Sequence, residues 1–427
     1  MHGKRLRKIA FFAADLLLFH LALFFTLALR YGSQLDLDLW LSHQLPFLTV
    51  YFLWMIIFYI AGLYDIEKFI SEKEIRNRTF KTMITAGILA IMIFYLVPYF
   101  KITPKTNLVI DTIIVFFLIW MWRKILFAYA VKSSKIKIFF PDSEEEIENL
   151  IELISRRPQL GYEITKNIKD AGIVIASKES KKNHGYVQSL YEMVRKGKTV
   201  MDFDKFYELI TGKIPVSMIG KTWFLENLLE INKQAFEKSK RALDVGLALL
   251  LFIPFFALCP IIALAIKTTS KGPVFYRQKR VGKNGRIFEI LKFRSMLADA
   301  EKNGAQWAKE KDERVTMAGN FLRSTRLDEL PQIWNILKGD LSFIGPRPER
   351  PEFTEELEKQ IPHYSMRYLI KPGLSGWAQI NFPYGASVED SVEKLQYDLF
   401  YIKNRSLLLE ISIILKTIMI ILSHSGR

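Results

Sequence analysis

Hydrophobic and polar positions divide the chain into three stretches of different texture. Four apolar segments fill the first third, at roughly 10–29, 45–64, 82–100 and 108–127. Each is near the ~20 residues that a spanning helix needs. The second and third hold no charge, while the first carries Asp15 and the fourth Asp111. Both carboxylates sit near predicted helix ends, so an interfacial or helix-packing role is expected.

The middle stretch, 135–230, alternates short apolar runs with amphipathic ones. Residues 135–140 (KIKIFF), 171–176 (AGIVIA) and 199–203 read as strands. Residues 144–156 and 187–195 read as helices, the first with Ile147, Leu150, Ile151 and Ile154 on one side. Strands alternating with helices predict a parallel sheet and a small Rossmann-like α/β domain. Pro141-Asp142-Ser143 follows the first strand with no glycine fingerprint, so dinucleotide binding is unsupported.

The last stretch, 238–427, opens with a basic patch and a long apolar run and continues as a polar, arginine-rich body. Asn284-Gly285 between strand-like runs at 274–280 and 286–294 predicts a hairpin. The apolar run 245–266 has 22 residues without a charge, enough to cross a membrane. Two features oppose a crossing. Lys238, Lys240 and Arg241 precede it and Lys267, Lys271 and Arg277 follow it, which keeps both ends on one side if positive residues stay inside. Pro254 near its centre predicts a kink. A re-entrant helix over 242–266 fits both, and an ordinary kinked span is the alternative.

Composition and charge sharpen this. The chain has 427 residues, half of them hydrophobic, and mean hydropathy is +0.11, too apolar for a soluble enzyme of this length. Net charge is +16, which suits nucleic acid, anionic lipid or phosphorylated substrates. The basic residues hug the membrane segments and one carboxylate cluster, which disfavours nucleic acid. Lys and Arg are dense at the N-terminus, in 65–81 and after 127, and sparse in the other two loops. That asymmetry predicts a cytoplasmic N-terminus and a cytoplasmic location for everything after about residue 130. A signal peptide is disfavoured because the first apolar run is long and further spans follow it. Cys259 is the only cysteine, so there is no internal disulfide.

The densest chemistry lies at 321–351, FLRSTRLDELPQIWNILKGDLSFIGPRPERP. Arg323, Arg326, Arg347 and Arg350 accompany the adjacent pair Asp328-Glu329. Arginine forks orient phosphate oxygens. A carboxylate can attack phosphorus or hold a divalent cation. Asp-Glu alone would read as a capped, charged helix start; with four arginines and the rigid turn Gly345-Pro346-Arg347-Pro348, phosphoryl chemistry is the better reading.

These residues resemble the polyprenyl-phosphate glycosyl-1-phosphate transferases, the bacterial sugar transferase family. The resemblance rests on 240–244 (KRALD), 272–280 (GPVFYRQKR), 292–296 (KFRSM), 322–332 (LRSTRLDELPQ), 337–348 (LKGDLSFIGPRP) and 371–381 (KPGLSGWAQIN), in family order. Four spans plus an α/β domain look like the family's long form. The resemblance implies a monotopic, mainly helical catalytic domain at 238–427, after transmembrane helices at 1–131 and the α/β domain at 132–237. It implies transfer of a sugar 1-phosphate from a UDP-sugar to polyprenyl phosphate at the bacterial inner membrane, with release of UMP, in exopolysaccharide, capsule or O-antigen assembly. Asp328 would be the nucleophile and Glu329 would help it hold Mg²⁺. Lys292, Arg323 and Arg347 would bind phosphate, and Pro254 would be the kink of the re-entrant helix. Arg326 departs from the small polar residue of many members. Homodimerisation is left open, as are the sugar and the role of 1–237.

Other motifs compete. Gly220-Lys221-Thr222 resembles a P-loop ending, but Pro215 stands where its glycine is required. Asp202-Phe203-Asp204 and Asp36-Leu37-Asp38 mimic a metal-binding Asp-x-Asp, which would suit a processive glycosyltransferase. A membrane scaffold, its basic charge holding anionic lipid, is the non-enzyme alternative.

Overall fold

The computed structural model describes residues 2–96, 105–177, 180–182, 184–228, 234–297, 300, 312–382, 385 and 387–422. The chain forms two compact units, Met1–Met201 and Asp202–Arg427.

The first unit starts with four helices: α1 (His2–Tyr31), α2 (Leu37–Ile60), α3 (Glu72–Leu96) and α4 (Lys105–Lys132). Three stretches, Ile9–Gln34, Leu37–Ile60 and Thr106–Lys132, are long and apolar enough to cross a membrane. Helix α3 is the exception. Its first turns carry Glu72, Lys73, Glu74, Arg76 and Arg78, and residues 97–100 of the expected third span lie outside the described residues. Aromatic side chains fill the bundle: Phe19, Phe47, Tyr51, Trp54 and Phe58 are fully buried. Its outer positions, such as Leu17, Leu29, Phe52 and Phe117, are apolar and exposed. Helices apolar on all sides suit a lipid surround.

Asp15 and Asp111 are wholly buried inside this bundle, which corrects the interfacial half of the expectation. Asp15 pairs with Arg123 at 2.6 Å, bridging α1 and α4, and Asp111 accepts from the Tyr51 hydroxyl at 3.1 Å. Each carboxylate stays inside because a partner helix supplies its donor.

A small sheet follows. β1 (Ile136–Phe139), α5 (Glu145–Arg156), β2 (Tyr162–Ile164), β3 (Ile173–Ala176), α6 (His184–Arg195) and β4 (Thr199–Asp202) give the strand order β2-β1-β3-β4. β1 pairs parallel with both β2 and β3. The alternation of strand and helix forced that arrangement, since a parallel neighbour needs a crossover. β2 was not foreseen: three residues with half-exposed sides leave little periodicity to read.

The second unit contains α7 (Phe203–Thr211), α8 (Lys221–Asn227), α9 (Gln234–Thr269), the strands β5 (Phe275–Val281) and β6 (Ile287–Phe293), α10 (Met317–Ser324), α11 (Ile333–Lys338), β7 (Ser342–Ile344), α12 (Pro351–Gln360), β8 (Gly373–Ser375), α13 (Trp377–Asn381), α14 (Val388–Asn404) and α15 (Leu407–Leu422). β5 and β6 form the expected antiparallel hairpin. Its tip carries Asn284 at φ 56° and Gly285 at φ 74°, the left-handed pair that an Asn-Gly turn provides.

The larger core of the second unit joins distant parts of the sequence. Ile214, Val216, Ile219, Trp223, Phe224 and Leu228 pack in it with Ala248, Ile336, Phe343, Leu357, Leu399 and Tyr401. By sequence pattern the segment 203–228 belongs to the α/β domain. Its apolar side chains instead fill the arginine-rich body, so the compact units divide at 201/202 rather than at 237.

Helix α9 continues as one helical element through both Pro254 and Pro260. Its two ends are tied to the same body. Near its start, Asp244 Oδ1 accepts from the Ser342 hydroxyl and the Phe343 amide, both at 3.1 Å. Near its end, Ile262 and Ile266 pack on Phe293 and Leu322. Between them Leu250, Ile253, Phe256 and Leu264 are exposed.

Candidate active site

Helix α10 begins at Thr316, whose side chain accepts from the Gly319 amide at 3.0 Å. It ends at Thr325, and Arg326 takes a left-handed conformation, φ 56°. An arginine there costs on the order of 1–2 kcal/mol. The turn throws the chain into a short 3-10 segment, Leu327–Gln332, that places Asp328 and Glu329 facing the β5–β6 hairpin. Both carboxylates are about 8% exposed or less.

The two neighbours have different surroundings. Glu329 is clamped. Its Oε1 accepts from Lys292 Nζ at 3.0 Å and from Arg347 Nη2 at 2.9 Å, and Arg326 Nη1 lies 3.8 Å from Oε2. Among the described residues, none donates a hydrogen bond to Asp328. Burial opposes the charge on Glu329, but Lys292, Arg347 and Arg326 outweigh it and hold its carboxyl well below the usual range. Burial, and then the charge of Glu329, push Asp328 up; Lys292, Arg323 and Arg347 pull the other way. Lys292 is lowered, mainly by burial and against the pull of Glu329. One carboxylate is therefore a fixed anion and the other an unbonded, more basic one, as a pair with divided roles requires.

Of the residues expected at the site, Lys292 and Arg347 contact Glu329 directly, and Arg323 acts on Asp328 through its charge. Arg350 pairs with Glu352 at 3.5 Å and Pro254 lies within α9. Among the described residues no group of three or more His, Cys, Asp or Glu side chains gathers around a metal position. Asp328 and Glu329 together offer two carboxylates. That is too few for a cage built by protein alone, yet suits Mg²⁺, which binds one or two carboxylates and completes its shell with phosphate oxygens and water.

Several motif residues turn out to build the frame. Arg241 donates to the carbonyls of Ile336 and Leu337 at 2.6 and 2.7 Å, capping α11 behind the Asp-Glu turn. Lys240 pairs with Glu410 and donates to the Ile344 carbonyl at 2.9 Å. Arg294 caps the end of α9 through the carbonyls of Ser270 and Lys271, at 2.8 and 3.1 Å. Asn335, missed in the sequence, bonds β6 on both sides: Leu291 N donates to it at 3.0 Å and it donates to Glu289 O at 2.7 Å. That fixes the strand next to Lys292. The glycines of GPRP and KPGLSGW also have a reason. A Cβ on Gly345 would lie 2.5 Å from Lys371 O, and one on Gly373 would lie 2.0 Å from Gly345 N. The two motifs cross backbone to backbone, through parallel pairing of β7 and β8.

The rival Asp-x-Asp is occupied otherwise: Asp204 accepts from Trp223 Nε1 at 2.6 Å, and Asp202 pairs with Lys205 at 3.2 Å.

Comparison with known proteins gives the family of this part of the chain. Residues 235–424 match the model of the family described as bacterial sugar transferase. The chain is similar to a UDP-N-acetylgalactosamine-undecaprenyl-phosphate N-acetylgalactosaminephosphotransferase of Aeromonas hydrophila, 44% identical over 51% of this chain and 51% of that protein. It is similar to a UDP-glucose:undecaprenyl-phosphate glucose-1-phosphate transferase of Xanthomonas campestris pv. campestris, 43% identical over 43% of this chain and 38% of that protein. A protein of the same description from Caulobacter vibrioides is 40% identical over 43% of this chain and 70% of its own length. The match thus spans about half of the Aeromonas relative and less of the Xanthomonas one. The segment that carries the Asp-Glu turn, with its lysine and arginines, lies within the matched residues. This chain belongs to the bacterial sugar transferase family.

Glu329→Gln removes the anion that holds Lys292 and Arg347. Activity is expected to fall by at least about a hundredfold, since two cations of the site lose the carboxylate that positions them. Near-wild-type kcat/KM for the donor in this variant would show that Glu329 only fills space.

Proposed function

We propose that the protein transfers a sugar 1-phosphate from a UDP-sugar to polyprenyl phosphate and releases UMP. The observation that carries this reading is the contrast between clamped Glu329 and unbonded Asp328 inside a ring of cations. An Asp328 oxygen attacks the β-phosphorus, the bond from that phosphorus to the bridging oxygen breaks, and UMP departs with the electron pair. An oxygen of polyprenyl phosphate then attacks the same phosphorus and displaces the Asp328 carboxylate, giving the lipid diphosphosugar. Lys292, Arg323 and Arg347 neutralise phosphate oxygens during both displacements. Asp328 and Glu329 would hold Mg²⁺, which supplies charge neutralisation at the diphosphate. The relatives differ in the sugar they name, so a panel of UDP-hexoses and UDP-N-acetylhexosamines is the appropriate assay. UMP release that needs polyprenyl phosphate for turnover supports the reading, and release from no member of the panel sinks it. EDTA is expected to stop the wild-type reaction, with excess Mg²⁺ restoring it.

The same reading sets the catalytic unit on the cytoplasmic face of the bacterial inner membrane, where UDP-sugars are, as a step of exopolysaccharide, capsule or O-antigen assembly. Helix α9 is then re-entrant, entering and leaving by that face. Its support is the packing of both helix ends on one body, through Asp244 and through Ile262 and Ile266. Tags before Lys238 and after Lys271 are expected to be labelled from the cytoplasm alone. A periplasmic label after Lys271 contradicts the re-entrant helix. Pro254→Leu restores the backbone hydrogen bond that proline omits, favours a straight span over a re-entrant one, and is expected to lower activity.

A further inference from the structure

Arg347 sits between two prolines, Pro346 and Pro348, which supply no amide donors of their own. The Gly373 amide holds the Pro346 carbonyl at 2.9 Å, and a side chain from elsewhere holds the carbonyl of Arg347 itself. Arg367, in the turn Tyr364–Leu369, donates from Nη2 to the Arg347 carbonyl at 3.0 Å. The same nitrogen donates to Asp398 Oδ2 of α14 at 2.9 Å, and Nη1 donates to the Tyr364 hydroxyl. Arg367 is 5% exposed and Asp398 2%. Neither approaches Asp328 or Glu329 through a hydrogen bond among the described residues.

Two charges taken out of water carry a desolvation penalty of several kcal/mol each, and apolar residues of the same volume often stabilise a fold as well or better. A buried pair of this kind needs a geometric reason. The main-chain carbonyl it grips belongs to the residue whose guanidinium lies 2.9 Å from Glu329. A planar fork held by a fixed carboxylate sets both the distance and the direction of that carbonyl, which a lysine ammonium does not.

We propose that Arg367 and Asp398 are positioning residues that orient Arg347 toward the diphosphate of the donor. This rests on the function proposed above, in which Arg347 contacts phosphate. Arg367 acts through the Arg347 backbone, and Asp398 locks the Arg367 fork.

The test uses the full-length chain in membranes or detergent, with Arg367→Lys, Asp398→Asn and Arg347→Ala. Arg367→Lys is expected to lower kcat/KM for the UDP-sugar about 10- to 100-fold, the scale of a misplaced contact group. Combined with Arg347→Ala, it should add nothing further, because its effect passes through the residue already removed. Multiplied losses in the double variant overturn the proposal, as does wild-type kcat/KM in Arg367→Lys. A second readout needs no transferase activity. Phenylglyoxal modification of Arg347, followed by mass spectrometry, is expected to run several-fold faster in folded Arg367→Lys and Asp398→Asn than in wild type. An unchanged rate in both also overturns it. Absence of UMP release from the wild type would sink the function reading alone and leave this second readout to decide.

Discussion

Asp328→Asn is expected to abolish turnover. The variant keeps the shape of the 3-10 turn and leaves Glu329 in its clamp, so the fold and the cation ring persist. It removes the one carboxylate at the site that no described donor holds. Loss of a nucleophile corresponds to several powers of ten in rate, about 4 kcal/mol or more in the barrier. UMP release at a few per cent of wild type or above in Asp328→Asn would mean that another group attacks phosphorus. The pH profile adds a sign. Because burial and Glu329 raise the Asp328 carboxyl, its ionised form is lost at a higher pH than for an ordinary aspartate at 3.8. The acid limb of donor turnover should therefore lie above that value.

The second large effect concerns the boundary of the catalytic unit. From the motifs alone, a fragment starting near Phe236 ought to suffice, since the family resemblance begins at about 240. The core says otherwise. Ile214, Val216, Ile219, Trp223, Phe224 and Leu228 are all buried against the body that carries the site. Polar ties reinforce them: Trp377 Nε1 donates to Gly212 O at 3.0 Å, and Lys403 and Asn404 both donate to Glu208 at 2.6 Å. Burying each large apolar side chain contributes roughly 1.5–3 kcal/mol, so six of them rival the whole stability of a typical domain, about 5–15 kcal/mol. A fragment beginning at Asp202 is expected to fold and release UMP, whereas one beginning at Phe236 should aggregate or lose most of its activity. Equal activity of the two fragments would show that 203–228 is dispensable.

What the sequence disclosed, and what it withheld, follows from the range of each signal. Periodicity and turn chemistry are local. They placed the helix ending at Arg156, the strand at 173–176 and the Asn284-Gly285 hairpin to within a residue or two. The Asp-Glu turn and its cations were legible because the charges crowd one motif. Partnerships across long separations were not. Nothing near Arg123 in the sequence points to Asp15, and nothing near Arg367 points to Arg347 or Asp398. The bundle carboxylates read as interfacial or helix-packing, because a lone charge near a helix end can snorkel; only the partner on another helix decides for packing. Segment 203–228 was misassigned for a related reason: its amphipathic runs announce that they will pack, but not on which neighbour. The apolar run in α9 reads as kinked at Pro254, and the helix continues through both of its prolines.

In the proposed reaction Asp328 carries the phosphosugar between the two substrates. Radiolabelled UDP-sugar, labelled in its β-phosphate and sugar, is added to the full-length protein with Mg²⁺ and without polyprenyl phosphate. After quenching, the protein is digested and the label is located by mass spectrometry. Label is expected on the peptide containing Asp328 in the wild type, with release when polyprenyl phosphate is supplied, and none in Asp328→Asn. Label on another residue, or turnover by a strict ternary complex with no trapped species, would contradict that role.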